Sequence, residues 1–529
     1  MLKSRFPIPL LDEHRPRTPE TRRLETSKTE FSTVDAQSLE TLLPAVGSHD
    51  LRGPAAVEIT DVTYRSEQAT PGSLFFAVPG TRTDGHDFAA DAVQRGASAV
   101  LVERWVDLDV TQIRVPSVRG AMGPLSAAFF GNPSAAMTMV GVTGTNGKTT
   151  VTYLLESIFR AAGLRAGVIG TTGVRIDGEI TPFARTTPEA PDLQRLFATM
   201  RARGVQAVAM EVSSHGLDQH RVDGTRYACG IFTNLSQDHL DYHQTMEAYL
   251  EAKARLFTAS LSNRGAINGD SPEGRSIARQ AAIPTVTFGL GEGADVVARE
   301  VELSAMGVSF VVDGVGIRSA LRGAFNVSNC LAALTAARSV GIGEAPIAEG
   351  IEALKGVPGR MEPVDAGQPF PVLVDYAHTP DSLENVLRTA RGFTANRLIV
   401  VFGCGGDRDR GKRPQMGEVA TRLADLTVIT SDNPRSEEPE AIVREIEGGV
   451  GEGTGRHVVE VDRRAAIALA LREADHGDVV IIAGKGHETG QEFRDRTIPF
   501  DDREVVREEL LSRAGSRSAG DDDATEGRP

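Results

Sequence analysis

The run Gly141-Val142-Thr143-Gly144-Thr145-Asn146-Gly147-Lys148-Thr149-Thr150 constrains this chain more than any other stretch. It follows the short apolar segment Met137 to Val142. It precedes a pattern in which Val151, Leu154, Leu155, Ile158 and Phe159 share one helical face. Strand, glycine-rich loop, Lys-Thr and helix are the context that a phosphate-binding loop requires. Glycines let the backbone wrap closely around phosphate oxygens, and a helix N-terminus offers unpaired N–H groups at its positive dipole end. Lys148 is then the group that reaches the outer phosphates, and Thr149 supplies a hydroxyl for magnesium. The general pattern has glycine five positions before Gly147; here Val142 stands there, between Gly141 and Gly144. The competing reading is an ordinary glycine-rich turn, and Lys-Thr-Thr in this context argues against it.

At 529 residues the chain is long enough for about three or four domains. A net charge of −15 argues against a general nucleic-acid binder, while leaving room for a local basic pocket. Cys229, Cys330 and Cys404 are widely spaced, form no metal-ligand pattern and suit a reducing cytoplasm as small buried residues. No stretch is apolar enough to span a membrane, and the proline-broken run Phe6 to Leu11 does not read as a signal peptide. The expectation is a cytoplasmic protein without membrane insertion.

Residues 1–38 and 512–529 read as polar tails. Between them lie three blocks, 39–136, 137–358 and 359–511. The second and third alternate apolar strands with amphipathic helices, the sign of α/β units on mostly parallel sheets. Ile176-Asp177-Gly178-Glu179 is a hairpin signal inside the second.

In the third block three apolar strands run directly into polar loops. Leu398 to Phe402 leads to Gly403-Cys404-Gly405-Gly406-Asp407-Arg408-Asp409-Arg410, Leu426 to Thr430 to Asp432-Asn433-Pro434-Arg435, and Val479 to Ala483 to Gly484-Lys485-Gly486-His487-Glu488. Ligands of open α/β sheets sit outside the carboxyl ends of the strands. These loops would gather Arg408, Arg435 and Glu488 around one pocket. Two arginines grip carboxylates and a glutamate holds an ammonium, so a zwitterion such as an amino acid fits.

In the middle block the strand Ala207 to Val212 leads into Glu211-Val212-Ser213-Ser214-His215, which sets a glutamate at a strand end near the phosphate loop, where it can coordinate magnesium. The strand Cys229 to Leu235 leads to Ser236-Gln237-Asp238-His239, and His239 reads either as a second metal ligand or as a structural histidine. Thr186, Thr187, Gln219 and Arg221 are polar groups able to bind an anion or to sit in solvated loops. Lys253, in the helical run Met246 to Phe257, reads from composition as a surface lysine.

Taken together, the phosphate loop, Glu211-Val212-Ser213-Ser214-His215, Asp432-Asn433-Pro434-Arg435 and Gly484-Lys485-Gly486-His487-Glu488 resemble the Mur ligase family over about residues 39–511. The nearest branch is the one that adds meso-diaminopimelate to UDP-MurNAc-L-Ala-D-Glu in peptidoglycan precursor synthesis. The resemblance implies three domains: an N-terminal one for the uridine nucleotide, a central P-loop ATPase domain, and a Rossmann-like C-terminal one for the amino acid.

By residue, the resemblance gives ATP contacts at Thr143, Gly144, Thr145, Asn146, Gly147, Lys148, Thr149, Asn326, Arg360 and Asp375. It gives contacts to the nucleotide-linked dipeptide at Ser66, Thr186, Thr187, Ser213, Gln219 and Arg221, although Arg65-Ser66-Glu67 stands where the family has Asp-Ser-Arg. Diaminopimelate falls to Arg408, Asp432, Asn433, Pro434, Arg435, Gly484 and Glu488. Lysine-adding relatives lack the arginine at position 435. Mg2+ is expected at Thr149, Glu211, His239 and a carbamylated Lys253 (N6-carboxylysine), with Lys148, Glu211, His239 and Lys253 as the catalytic set. The implied chemistry is amide ligation through an acyl phosphate by a monomer. Its rivals are the same ligation with L-lysine, a folylpolyglutamate-type ligase, and a nucleotide-switched binding protein without ligase chemistry.

Overall fold

The computed structural model describes residues 35–80, 83–183, 185–304, 306–451 and 455–522. Its elements build three α/β units. In the first, five strands run in the order Asp50–Arg52, Thr111–Arg114, Ala99–Val102, Ser73–Phe76, Asp61–Thr63, parallel except for the first pair. The helix Val118–Phe129 packs on this sheet through Met122, Leu125 and Phe129.

The central unit is a nine-stranded sheet. The strand Thr138–Thr143 lies between Ala207–Glu211 and Cys229–Phe232, parallel to both, and the parallel run extends to Ala166–Gly170 on one side and Val296–Val297 on the other. Two antiparallel strands, Gly173–Ile176 and Glu179–Thr181, close one edge. The turn between them holds Asp177 at φ 53° and Gly178 at φ 90°, the left-handed pair that the Asp-Gly hairpin signal implies. Strand residues alternate between two cores, Met139 facing Phe197 and Met200, and Val140 and Val142 facing Leu154, Leu155 and Leu334. A three-stranded antiparallel sheet, Arg299–Ser304, Gly307–Val312 and Val315–Ser319, follows. The sequence reading did not distinguish it from the surrounding α/β alternation.

The third sheet has the order Glu362–Pro363, Val372–Asp375, Val479–Ala483, Leu398–Phe402, Leu426–Ile429, Arg456–Val459, parallel after the first pair. The three strands that lead into polar loops are therefore neighbours. Their residues feed cores on both faces, Leu398, Val400 and Phe402 on one, Ile399 and Val401 on the other.

Both tail boundaries move. Gln37–Ser38 pairs with Glu58–Ile59, so folded structure starts before residue 39. The final helix Asp502–Asp522 passes residue 511, anchored by Val505, Val506 and Leu510 in the core and by Arg464 pairing with Glu508 and Glu509. Residues 1–34 and 523–529 lie outside the described residues. Among the described residues no helix is long and apolar enough to cross a membrane. Cys229, Cys330 and Cys404 are all buried free thiols.

Candidate active site

The phosphate loop joins the strand Thr138–Thr143 to the helix Lys148–Ala161. Two of its glycines are required. Gly147 has φ 88°, and a Cβ there would lie 2.4 Å from Asn329 Oδ1; a Cβ on Gly144 would lie 1.9 Å from Thr233 Oγ1. Asn234 Oδ1 accepts from the Asn146 amide at 2.8 Å, and Thr233 Oγ1 donates to the Asn146 carbonyl at 2.6 Å, so the next strand end fixes the loop. Val142, where the general motif has glycine, is a wholly buried strand residue beneath the helix.

Two lysines converge on this loop. Lys148 Nζ donates to the carbonyls of Gly144 at 3.0 Å and Thr145 at 2.9 Å. Lys253 Nζ donates to the same Gly144 carbonyl at 2.9 Å and lies 4.2 Å from the centre of the Tyr249 ring. Lys253 is only 1% exposed, which corrects the surface-lysine reading: the helix Met246–Ala254 turns this residue inward. Burial pulls both ammonium groups below the usual lysine range. Lys148 deepens the effect at Lys253, whereas Glu211 and Asp238 oppose it at Lys148.

Glu211 ends the strand Ala207–Glu211, and its carboxylate accepts from the Thr171 amide at 3.0 Å and the Thr171 hydroxyl at 2.9 Å. His239 sits at φ 55°, its ring centre 4.9 Å from that of His215. Burial holds His239 neutral, its pKa lowered to about 3. Asp238 is buried beside it. Burial alone would raise its carboxyl, but a hydrogen bond from His378 and the charge of Lys412 hold it well below the usual range. Among the described residues no three His, Cys, Asp or Glu side chains gather as a metal site. The donors present are a hydroxyl at Thr149, a carboxylate at Glu211 and a neutral imidazole at His239. That sparse set fits Mg2+, which keeps several waters and takes one or two protein oxygens plus phosphate oxygens.

A cleft of ≈ 390 Å³ opens beside the loop, lined by Asn146, Gly147, Thr149, Asn326, Arg360 and Asp375, with Phe325 and Asn329. Asn326 accepts from Asn329 at 2.9 Å. Asp375 spends its carboxylate on the amides of Met361 and Ala377, at 2.7 and 2.8 Å, and so shapes the turn that carries Arg360. Arg360 donates to Thr149 Oγ1 at 3.1 Å. The cleft therefore spans the junction between the second and third units, which Asn146 also bridges through Asp381 at 2.8 Å. Lys412 approaches Asp238 to 3.8 Å across the same junction, and Gln237 donates to Asp409 at 3.0 Å.

Thr186, Thr187, Ser213, Gln219 and Arg221 cluster around the end of the Glu211 strand. Thr187 donates to the Glu211 carbonyl at 3.0 Å, Arg221 donates to the Thr187 carbonyl at 3.1 Å and to Gln219 at 2.6 Å, and Thr171 links Thr186 to Glu211. Ser213 caps the short helix Ser214–Asp218. Sequence reading missed the partners. Buried Glu189 pairs with Arg221 at 3.2 Å and with Arg185, and lies 3.6 Å from Arg119 of the first unit. Three guanidinium groups around one carboxylate leave net positive charge. Ser66 lies on the first unit, buried in the turn Ser66–Gln68.

The three strand-end loops do meet. Lys485, wholly buried, donates to Asn433 Oδ1 at 2.8 Å and to Glu488 at 3.0 Å; Asn433 donates to Glu488 at 2.8 Å. Arg435, at φ 52°, pairs with Glu492 at 2.9 Å and donates to the Gly406 carbonyl at 2.8 Å. Arg408 is exposed, and Gly405 lies between it and Arg435. Pro434 and Gly406 touch so closely that a Cβ on Gly406 would be 1.9 Å from the Pro434 carbonyl oxygen. Asp432 packs against Gly484, where a Cβ would stand 2.5 Å from its carboxylate. Lys485 has no role in the sequence reading, although a lysine one glycine beyond an apolar strand is a visible signal.

A phosphate loop beside a cleft, a cluster of arginines around Glu189 and a charged three-loop pocket on three consecutive α/β units define a nucleotide-dependent, multi-domain ligase architecture. Three family models match in that order: the Mur ligase family catalytic domain at residues 58–129, the Mur ligase middle domain at 142–337, and the Mur ligase glutamate ligase domain at 359–486. The chain belongs to the Mur ligase family. It is 47% identical, over 90% of its length and 99% of the relative's, to the UDP-N-acetylmuramoyl-L-alanyl-D-glutamate–2,6-diaminopimelate ligase of Geobacillus thermodenitrificans. The ligase of the same name from Streptomyces avermitilis is 46% identical over 87% of this chain and 94% of the relative. A solved structure of a ligase of that name matches with TM-score 0.66 and 34% identity, covering 91% of this chain and all of that one. MurF ligase from Thermotoga maritima in complex with ADP shares the fold at TM-score 0.59 and 20% identity, over 85% of this chain and 96% of that one.

Proposed function

We propose that this protein is an ATP-dependent ligase that joins meso-diaminopimelate to the D-glutamyl carboxylate of UDP-MurNAc-L-Ala-D-Glu, in the cytoplasmic synthesis of peptidoglycan precursor. The observation that supports the reading is one domain junction, bridged by Asn146–Asp381 and Gln237–Asp409, with the phosphate-loop cleft beside it and, on the third unit, the strand-end loops that gather Asn433, Arg435, Lys485 and Glu488.

ATP takes the cleft, with its phosphates over the loop amides of Thr143 to Thr149 and its base toward Asn326. Lys148 exchanges its two loop carbonyls for the outer phosphates, and Arg360, already at Thr149, adds a second cation from the third unit. Thr149, Glu211 and His239 would hold Mg2+, which when bound supplies positive charge along the phosphates. The arginines around Glu189, together with Thr186, Thr187, Ser213 and Gln219, hold the anionic dipeptide beside Glu211, while Ser66 binds the uridine end. The glutamyl carboxylate attacks the γ-phosphorus, the bond to the β–γ bridging oxygen breaks, ADP is the leaving group and an acyl phosphate forms. The diaminopimelate amine then attacks the acyl carbon and phosphate leaves. Preorganised cations stabilise the charge that develops in both steps.

Lys253 would act as N6-carboxylysine. Its burial keeps the amine below the usual lysine range, and a neutral amine is the form that adds to carbon dioxide. The product is an anion beside Lys148 in place of a second buried cation.

Selection of diaminopimelate falls to Arg435, with Arg408, Asp432, Pro434 and Gly484 shaping the loop around it. L-Lysine lacks the second carboxylate and would leave this arginine without a ligand partner. The test is phosphate release from ATP and magnesium with UDP-MurNAc-L-Ala-D-Glu, run with meso-diaminopimelate, with L-lysine and with no amino acid. Release only with diaminopimelate, with a nucleotide-tripeptide product, is expected. Release with lysine would overturn the Arg435 assignment, and release with neither would overturn the ligase reading.

A further inference from the structure

Arg463 opens the helix Arg463–Glu473 and Asp502 opens the final helix. They form an ion pair, at 2.8 and 2.6 Å, with both side chains wholly inaccessible. Such a pair is by itself weak evidence of a role in stability. The remaining donors of Arg463 are more telling. One reaches the carbonyl of Ser431 at 3.3 Å and another the carbonyl of Ala483 at 3.0 Å. Ser431 directly precedes Asp432-Asn433-Pro434-Arg435, and Ala483 directly precedes Gly484-Lys485-Gly486-His487-Glu488.

The strands ending at Ile429 and Ala483 are not neighbours, because Leu398–Phe402 runs between them. The ladder ties each to that central strand and stops where the loops begin. Beyond it the central strand thins to Gly403, where a Cβ would lie 2.3 Å from the Thr430 carbonyl oxygen and 2.9 Å from the Asp432 amide. The two outer loops close over that glycine, and Arg463 bonds both at the level where the sheet no longer can.

We propose that Arg463 is a positioning residue for amino-acid binding: anchored by Asp502, its guanidinium clips the Ser431 and Ala483 carbonyls together and so sets the spacing between Asn433–Arg435 and Lys485–Glu488. This rests on the reading of that pocket as the amino-acid site. Burial works against the guanidinium charge, and Asp502, with Asp432 and Glu488 of the pocket, more than offsets it.

Two variants test the clip. Arg463→Lys keeps a cation opposite Asp502 but loses the fork that spans two carbonyls. The double variant Arg463→Met with Asp502→Leu removes the pair without stranding a charge, so that folding survives if the single variant fails to fold. Arg435→Ala is run alongside, and the KM for meso-diaminopimelate, the KM for ATP and kcat are measured separately. The expected result is an amino-acid KM raised on the order of tenfold with the ATP KM unchanged. An unchanged amino-acid KM in a folded variant, or both KM values rising together as general loosening would cause, overturns the clip. If Arg435→Ala raises the amino-acid KM while the Arg463 variants do not, the clip fails and the pocket reading stands. If Arg435→Ala leaves that KM unchanged, the pocket reading falls and the clip with it.

Discussion

The phosphate loop and the three-loop pocket lie on either side of one junction and solve their electrostatics in opposite ways. At the phosphate loop, half-buried Lys148 and buried Lys253 donate to carbonyls and form no ion pair among the described residues, with Glu211 and Asp238 acting on Lys148 only through their charge. In the third unit three buried cations have carboxylates of their own unit, Lys485 with Glu488, Arg463 with Asp502, and Arg413 with Glu437 and Glu445, while buried Lys412 leans across the junction on Asp238. The first site is completed by the charge of its ligand. The second is complete beforehand, so under the proposed function a zwitterion would enter by matching charges already in place. This contrast suits a polyanion on one side and an amino acid on the other.

The largest effect that would sharpen this comparison is expected at Lys148. Lys148→Met should lower ligation by about a thousandfold or more, measured as kcat for phosphate release, because a cation aimed at the developing charge is lost. The same variant should keep its thermal midpoint within a few degrees, since it removes a desolvated charge that has no ion-pair partner of its own. A steep loss of stability would show that Lys148 is already balanced and would break the contrast.

Lys253→Ala should also collapse activity, with partial rescue by added short carboxylates that restore the missing oxygens. Full activity of the alanine variant would remove the carbamylation reading. On the other side of the junction, Arg435→Ala should reduce kcat/KM for diaminopimelate by roughly ten- to a hundredfold and leave ATP affinity unchanged. Equal loss of both would count against its role.

Lys485→Met should behave unlike Lys148→Met. It leaves Glu488 and Asn433 without their donor and should lower stability by about 2 kcal/mol, read from urea unfolding. A neutral result would mean that the third-unit pocket is no more self-satisfied than the phosphate loop.

The smallest effect concerns His487, whose Nδ1 is buried without a hydrogen-bond partner among the described residues. Burial, and then the nearby Arg360 charge, lower its pKa from 6.5 to about 4. Between those values the unfolded chain binds a proton that the folded chain refuses, so stability rises with pH across this window. The penalty is absent above the unfolded value and grows as pH falls toward about 4. His487→Gln should flatten that acid limb in a series of thermal midpoints from neutral to mildly acidic pH. An unchanged slope would assign the acid limb to other groups.

What could be read from sequence divides along the same line. The phosphate loop is contiguous, and its glycines, Lys148 and Thr149 announce themselves because a strand, a tight turn and a helix start must follow one another in the chain. The parallel α/β character was equally visible, since apolar strands alternating with amphipathic helices admit few other packings. The three-stranded sheet at Arg299–Ser319 was not, because short strands joined by tight turns left no distinct signal inside that alternation.

The sequence by itself determined which loops concentrate glycines and charged side chains at strand ends: the phosphate loop, Asp432-Asn433-Pro434-Arg435 and Gly484-Lys485-Gly486-His487-Glu488. Only the tertiary structure decided that Lys253 is buried against Gly144, that Arg119 of the first unit joins Arg185 and Arg221 at Glu189, and that Arg463 ties two strand ends together. The reason is physical. Local backbone conformation is set by adjacent residues, whereas burial and charge pairing depend on groups that are distant along the chain and meet only once the sheets have formed.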